Sequence, residues 1–272
     1  MAQQYSLAHL TVLGCPPPEM VYIASRAGYD YVSLRLIPVG TAGEPRYELA
    51  ADKEMKRQTK AALDSTGVRF LDVELARIVK DLDPKAYEPA IETAAELGAK
   101  HVLSSVWVDD HPFVVDKFAE LCDIAKGCDM NVCLEFVTWA SVTNLQGAMA
   151  VLSEAGKDNC GLMVDTLHFH RSRVGLEELD AVPREWFRFA HLCDGPEDIP
   201  TDHESLIFTG RDARLYPGEG AIDLAAILNR VPEMPYSIEL PHVARVKEFG
   251  YAEHAARCLE HAKQYFSAHP RA

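Results

Sequence analysis

The feature that most limits what this chain can become is an alternation kept from end to end: short apolar, β-branched runs separated by longer stretches of helical period. Eight runs read as strands, over residues 5–12, 31–36, 69–74, 101–106, 131–136, 161–165, 187–193 and 236–240. Helical stretches are expected at 18–27, 49–65, 84–97, 112–127, 145–155, 176–180, 224–231 and 251–266. Proline near a first turn and glycine just past a last one punctuate several of them, as in Ala27-Gly28, Leu97-Gly98 and Ala155-Gly156.

Parallel strands need crossovers of about this length. Sharing 272 residues among eight strands gives about 34 per unit, the size of one strand, one helix and two loops. The expected fold is therefore α/β, a (β/α)8 TIM barrel, with residues 1–272 forming a single domain. A doubly wound sheet is the alternative, but no GxGxxG or GxxxxGK follows any strand. No Ser/Gly linker, charge block or shift of composition marks an internal boundary. The longest irregular stretch is expected at 194–220, after the seventh strand, where a barrel loop lies over the active-site face.

Asp and Glu number 41 against 27 Lys and Arg, a formal charge of -14. No broad positive field exists to gather nucleic acid or anionic lipid, so neither is an expected partner. The seven cysteines form no CxxC pair and mostly sit in apolar runs, as reduced, buried thiols do. The start lacks the basic and apolar regions of a signal peptide, and no apolar run approaches the roughly 18 residues of a membrane span. A cytoplasmic protein is expected.

Barrel chemistry comes from residues at the carboxyl ends of different strands. Four consecutive strands end in ionisable groups: Glu135 after Val132-Cys-Leu, Asp165 after Leu162-Met-Val, His191 within Ala190-His-Leu-Cys-Asp194, and Glu239 after Ser237-Ile. Each alone reads equally as an ion-pair partner, a helix cap or a hydrogen-bonded core histidine. Their convergence on one side of the barrel makes an O/O/O/N set suited to a divalent ion of intermediate hardness, Mn²⁺ first, with Co²⁺, Mg²⁺ or Zn²⁺ as alternatives. The absence of thiolates from the set argues against a structural zinc site.

With these residues the chain resembles the xylose-isomerase-like barrels, a group of sugar and sugar-phosphate isomerases, epimerases and related dehydratases. The likeness spans nearly the whole chain and is most specific at Leu134-Glu135-Phe136, Val164-Asp165-Thr-Leu-His168, His191-Leu-Cys-Asp194, Pro217-Gly-Glu-Gly-Ala-Ile-Asp223 and Ile238-Glu239. It implies that Glu135, Asp165, His191 and Glu239 hold one divalent cation. It also implies that Glu135 and Glu239 face opposite sides of a ketose-like substrate and that His168 helps hold a substrate oxygen. A homo-oligomer is in keeping with the group.

Two carboxylates flanking a chelated α-hydroxyketone can remove a proton from one face and return it elsewhere through an enediolate. The expected activity is thus isomerisation or epimerisation of a small ketose or keto-acid derivative, within carbohydrate metabolism, with Glu135 and Glu239 as the acid–base pair. The alternative is a lyase with the same site, dehydrating a keto-cyclitol or 3-dehydroshikimate-like ring. A multi-metal phosphodiesterase would need several histidines on early strands, where only His9 occurs. The intact ligand set speaks against a barrel that has lost catalysis. Arg35, at the end of strand two, reads either as a clamp for a substrate carboxylate or phosphate or as an ion pair to Glu74. Arg211 and Arg214 are expected near the mouth, with Arg214 favoured as substrate-binding. Trp107 and Trp139 read as pocket walls or as rim packing, and His170 is unassigned. Pro217-Gly-Glu-Gly220 reads as a turn into the last crossover helix, with Asp223 as its cap.

Overall fold

The computed structural model describes residues 2–40 and 44–271. Eight parallel strands close into a barrel in chain order: β1 (Tyr5–Ala8), β2 (Tyr31–Arg35), β3 (Arg69–Ile78), β4 (His101–Val106), β5 (Asn131–Glu135), β6 (Cys160–Asp165), β7 (Phe187–Leu192) and β8 (Tyr236–Ile238). Around them lie α1 (Pro17–Ala27), α2 (Lys53–Thr66), α3 (Glu88–Glu96), α4 (His111–Gly127), α5 (Leu145–Ala155), α6 (Thr166–Arg171), α7 (His203–Asp212), α8 (Leu224–Arg230) and α9 (Val243–Ala268). Among the described residues no helix is long and apolar enough to cross a membrane.

Local chemistry accounts for the boundaries. Side chains of Asp52, Asp110, Asn144, Asp202 and Asp223 each accept a hydrogen bond from a first-turn backbone N–H, opening α2, α4, α5, α7 and α8. Gly28 closes α1 at φ 92°, a left-handed conformation that glycine adopts without the clash a side chain would bring. The core has two parts. A large apolar cluster fills the space between barrel and helices, and a smaller one, Leu71, Leu103, Cys133, Met163 and Phe189, plugs the barrel interior. The seven cysteines are unpaired, all buried except the half-buried Cys128.

Several expected boundaries move. The first strand stops at Ala8, and His9–Val12 form a 3₁₀ turn. Thr11 explains the change, donating to the Ile238 carbonyl at 2.8 Å and accepting from Leu240 N–H at 2.9 Å. The stretch expected at 176–180 is also 3₁₀. Within the loop expected to be irregular at 194–220, α7 forms instead. Its pattern is hard to read because Phe208 points outward at 59% exposure while a glycine, Gly210, is the buried position. A Cβ at Gly210 would run into the indole of Trp139, so glycine lets α7 lie directly on that ring.

The rest of this loop is organised by one carboxylate. Asp194 Oδ1 accepts from Gly195 and Ile222 at 2.8 and 3.1 Å, and Oδ2 from Gly218 and Gly220 at 2.9 and 3.0 Å. Its backbone pairs both ways with Leu215 at 3.0 Å. The expected turn at 217–220 thus forms around Asp194, and Asp223 caps α8 as expected. Replacing Asp194 with Ala is expected to lower unfolding stability by about 2–4 kcal/mol, because buried backbone donors lose their acceptor. Urea midpoints measure this; an unchanged midpoint would show that water replaces the carboxylate without cost.

Candidate metal centre

The strand period of two places the site. Cys133, Met163 and Phe189 point into the barrel plug, so Glu135, Asp165 and His191, two residues further along β5, β6 and β7, point inward one layer higher. Asp165 and His191 are register partners, and Glu239 follows the end of β8 beside them. The four residues offer ligand atoms that all lie within 4.8 Å of one another. His191 Nδ1 stands 3.4 Å from Glu239 Oε2, 3.7 Å from Glu135 Oε1 and 3.9 Å from Asp165 Oδ2. Neither ring nitrogen of His191 has a hydrogen-bond partner, although the ring is fully buried.

Asp165 is oriented from two sides. Its Oδ1 caps α6 by accepting from Leu167 and His168 N–H at 2.7 and 3.1 Å, while Oδ2 accepts from Arg214 Nη1 at 2.7 Å. Arg214, expected near the mouth, is a buried residue that borders the cavity with its donors turned to the protein. Its Nη1 also reaches the Glu239 carbonyl at 3.0 Å, its Nε the Gly210 carbonyl at 2.7 Å, and its Nη2 pairs with Glu239 Oε2 at 2.9 Å.

The carboxyl groups respond to this environment differently. Burial pushes Glu135 up to about 7 against the pull of His191. Burial would also raise Asp165 and Glu239, but Arg214 with His168 and His191 holds Asp165 below its ordinary value, and His191 with Arg214 holds Glu239 below the usual carboxylate range. For His191, burial opposes charge, yet Glu239 and Glu135 hold its pKa well above that of a free imidazole.

Above this cluster opens a cavity of about 350 Å³. Glu135 and Glu239 line it, whereas Asp165 and His191 lie beneath; His168, Trp107 and Trp139 form part of its wall. The Thr138 N–H donates to His168 Nδ1 at 3.4 Å, which leaves Nε2 as the protonated nitrogen, and Trp139 packs edge-on at 4.7 Å between ring centroids. Burial lowers His168 to about 4, so the ring is neutral. Arg35 lines the cavity and also makes the expected contact with Glu74, at 3.2 Å. Burial outweighs Arg35 and pushes Glu74 up to about 8. His9 serves the scaffold: Nδ1 accepts from Arg35 N–H at 3.0 Å, and Nε2 therefore donates to the Cys15 carbonyl at 2.9 Å. Leu75 and Arg77, assigned no role from the sequence, also line the cavity. The extension of β3 to Ile78 carries them there, and the mixed run after Glu74 gave no strand signal.

The family described as Xylose isomerase-like TIM barrel matches residues 21–262. An inosose isomerase of Bacillus velezensis is 26% identical over 232 residues, covering 79% of this chain and 78% of that protein. Among solved structures, the IolI protein with a bound zinc atom superimposes with a TM-score of 0.81 at 22% identity, covering 98% of this chain and 99% of that one. A D-allulose 3-epimerase of Methylomonas sp. in complex with D-allulose gives a TM-score of 0.69 at 18% identity, with 97% of each chain covered.

Two stability predictions follow from the buried charges. Arg214→Met leaves the Asp165 and Glu239 carboxylates without their cation and is expected to cost about 3–5 kcal/mol, read from urea unfolding in the presence of a chelator. A loss below about 1 kcal/mol would mean that the carboxylates find other compensation. Glu74 acts in the opposite sense on the pH axis. The folded chain holds its proton more tightly than the unfolded chain, so stability is lost as pH rises from about 4.5 towards about 8. Glu135 and Asp72, with raised values of about 7 and about 6, add to the same trend. Glu74→Gln should therefore shrink the difference between urea midpoints at pH 5 and pH 8; an identical difference in the variant would refute the assignment.

Proposed function

The chain belongs to the xylose isomerase-like TIM-barrel family, and from that premise we propose that it is a divalent-metal-dependent isomerase or epimerase of a small ketose or keto-acid derivative. The observation that carries this reading is the convergence of Glu135, Asp165, His191 and Glu239, with ligand atoms within 4.8 Å of one another, at the base of a cavity. Three carboxylates and an imidazole with no hydrogen bond of its own suit a cation of intermediate hardness, Mn²⁺ first and Co²⁺, Mg²⁺ or Zn²⁺ next. When bound, such a cation supplies positive charge that acidifies a C–H beside a ketone and steadies the resulting enediolate.

The protein's own groups divide the remaining work. Only Glu135 and Glu239 of the four reach the cavity, from strands three places apart around the barrel, so these two can meet the substrate. Their environments separate them: Arg214 pairs with Glu239 at 2.9 Å, whereas Glu135 has no guanidinium partner and burial raises its carboxyl. Proton removal by one and return by the other is the acid–base exchange that isomerisation or epimerisation requires. His168, neutral and with Nε2 protonated, is placed to donate to a substrate oxygen. Arg214 we assign to holding Asp165 and Glu239 in place, because its donors already go to them and to backbone. The inosose isomerase relative and the epimerase neighbour support a polyhydroxy ketone as substrate.

Elemental mass spectrometry of protein purified without chelators is expected to find about one divalent ion per chain, with affinity falling at least 10-fold in His191→Ala and Glu239→Gln. At saturating metal, Glu135→Gln should slow deuterium uptake from solvent into an inosose or D-allulose by roughly 10²–10⁴. A wild-type protein that binds none of Mn²⁺, Co²⁺, Mg²⁺ and Zn²⁺ would overturn the proposal. An enone absorbance appearing with the product would move the reaction to elimination on the same site.

A further inference from the structure

The cavity wall holds more positive charge than a neutral polyol needs. Besides Arg214, whose donors are taken up by the metal-ligand carboxylates and backbone, the cavity is lined by Arg35 from β2, Arg77 from β3 and Arg211 from α7. Two of them, Arg77 and Arg211, feel the charge of their neighbours. Burial, followed in Arg211 by the fields of Arg35 and Arg77, lowers that guanidinium from its usual range; burial first and Arg35 among the neighbours do the same for Arg77.

Their counter-charges are incomplete. Arg77 donates to the Val39 carbonyl at 2.5 Å and lies over the Trp107 ring at 5.4 Å, both contacts with neutral groups. Arg211 has no hydrogen-bond or ion-pair partner among the described residues, and Asp212 and Glu44 act on it only through space. Arg35 contacts Glu74 at 3.2 Å and Glu44 at 3.7 Å, so the unmatched charge lies mainly on Arg77 and Arg211. Gathering like charges in a half-buried wall is unfavourable unless an anion joins them, and a guanidinium offers planar paired donors that match a carboxylate or phosphate.

We infer that the substrate of this site carries an anionic group, a carboxylate or a phosphate, held between Arg35, Arg77 and Arg211. The inference rests on the reading of this cavity as the substrate site and narrows its substrates, ketoses or keto-acid derivatives, to those that carry an anion. Arg77 and Arg211 are then specificity-determining residues that neither move protons nor hold metal. The cavity, about 350 Å³, lies at the small end of ligand pockets, so a six-carbon acid or phosphate would bring its anion within reach of the wall.

Trp107 and Trp139 line the cavity and provide the signal. Mn²⁺-loaded protein is titrated with myo-inositol, D-glucuronate and D-fructose 6-phosphate while tryptophan emission is followed. At least one anion is expected to bind about 10-fold or more tightly than myo-inositol, and the tighter of the two distinguishes carboxylate from phosphate. Arg211→Ala and Arg77→Ala should each remove most of the preference for the anion over myo-inositol, with Arg211→Lys restoring part of it. Metal-loaded protein that prefers neither anion overturns the inference, as does a preference that survives both alanine variants. Failure of the isomerase reading looks different: a chain that takes up no metal yet keeps an arginine-dependent preference for anions would sink that reading and leave the anion site standing.

Discussion

The structure depends on how three carboxylates are kept together away from water. Glu135, Asp165 and Glu239 converge in a space where unpaired charge costs several kcal/mol per group. Arg214 makes this tolerable by bridging two of them, with Nη1 on Asp165 and Nη2 on Glu239, while the α6 amide groups take the other oxygen of Asp165. Glu135 has no guanidinium partner, only His191 Nδ1 at 3.7 Å, and burial raises it to about 7. The same unequal support that makes the cluster stable also makes its two cavity-facing glutamates chemically different. On the proposed reading these two form an acid–base pair, which would need such a difference, and it would come from where one arginine sits.

Much of this was legible before the fold was known, for a simple reason. Parallel strands buried on both faces read as apolar runs, and a charged residue closing such a run has few roles open to it. Glu135, Asp165, His191 and Glu239 stood out on those grounds, and the period of two carries them into the barrel. His168 was visible through the family resemblance of Val164-Asp165-Thr-Leu-His168, and it lies on the α6 turn that Asp165 opens. What could not be read depends on contacts distant in sequence. Arg214 sits in a polar, glycine-containing loop that looks solvated, and its burial follows from partners 49 and 25 residues away. The end of β1 at Ala8 depends on Thr11 bonding to the end of β8, across 227 residues. Such pairings leave no local pattern. Helix α7 was missed for another cause: its buried face is made by a glycine seated on Trp139, and a glycine lowers every measure of helical character.

The loop after β7 then links the floor of the site to its wall. Asp194 draws the backbone of Gly195, Gly218, Gly220 and Ile222 around itself and pairs with Leu215, while Arg214 N–H bonds to the Pro241 carbonyl beyond β8. The chain is therefore fixed on both sides of Arg214 before its side chain reaches the carboxylates. Three residues earlier, Arg211 leaves the last turn of α7 and borders the cavity. One short segment thus places a guanidinium against the carboxylates of the candidate metal centre and another on the cavity wall, where the proposed substrate anion would lie. A change in how α7 rests on Trp139 would move both groups at once. Packing at Gly210 consequently bears on the charge of Glu239 as well as on recognition at the wall. The segment from Gly210 to Arg214 thus joins the support of the carboxylate cluster to the proposed anion contact on the wall.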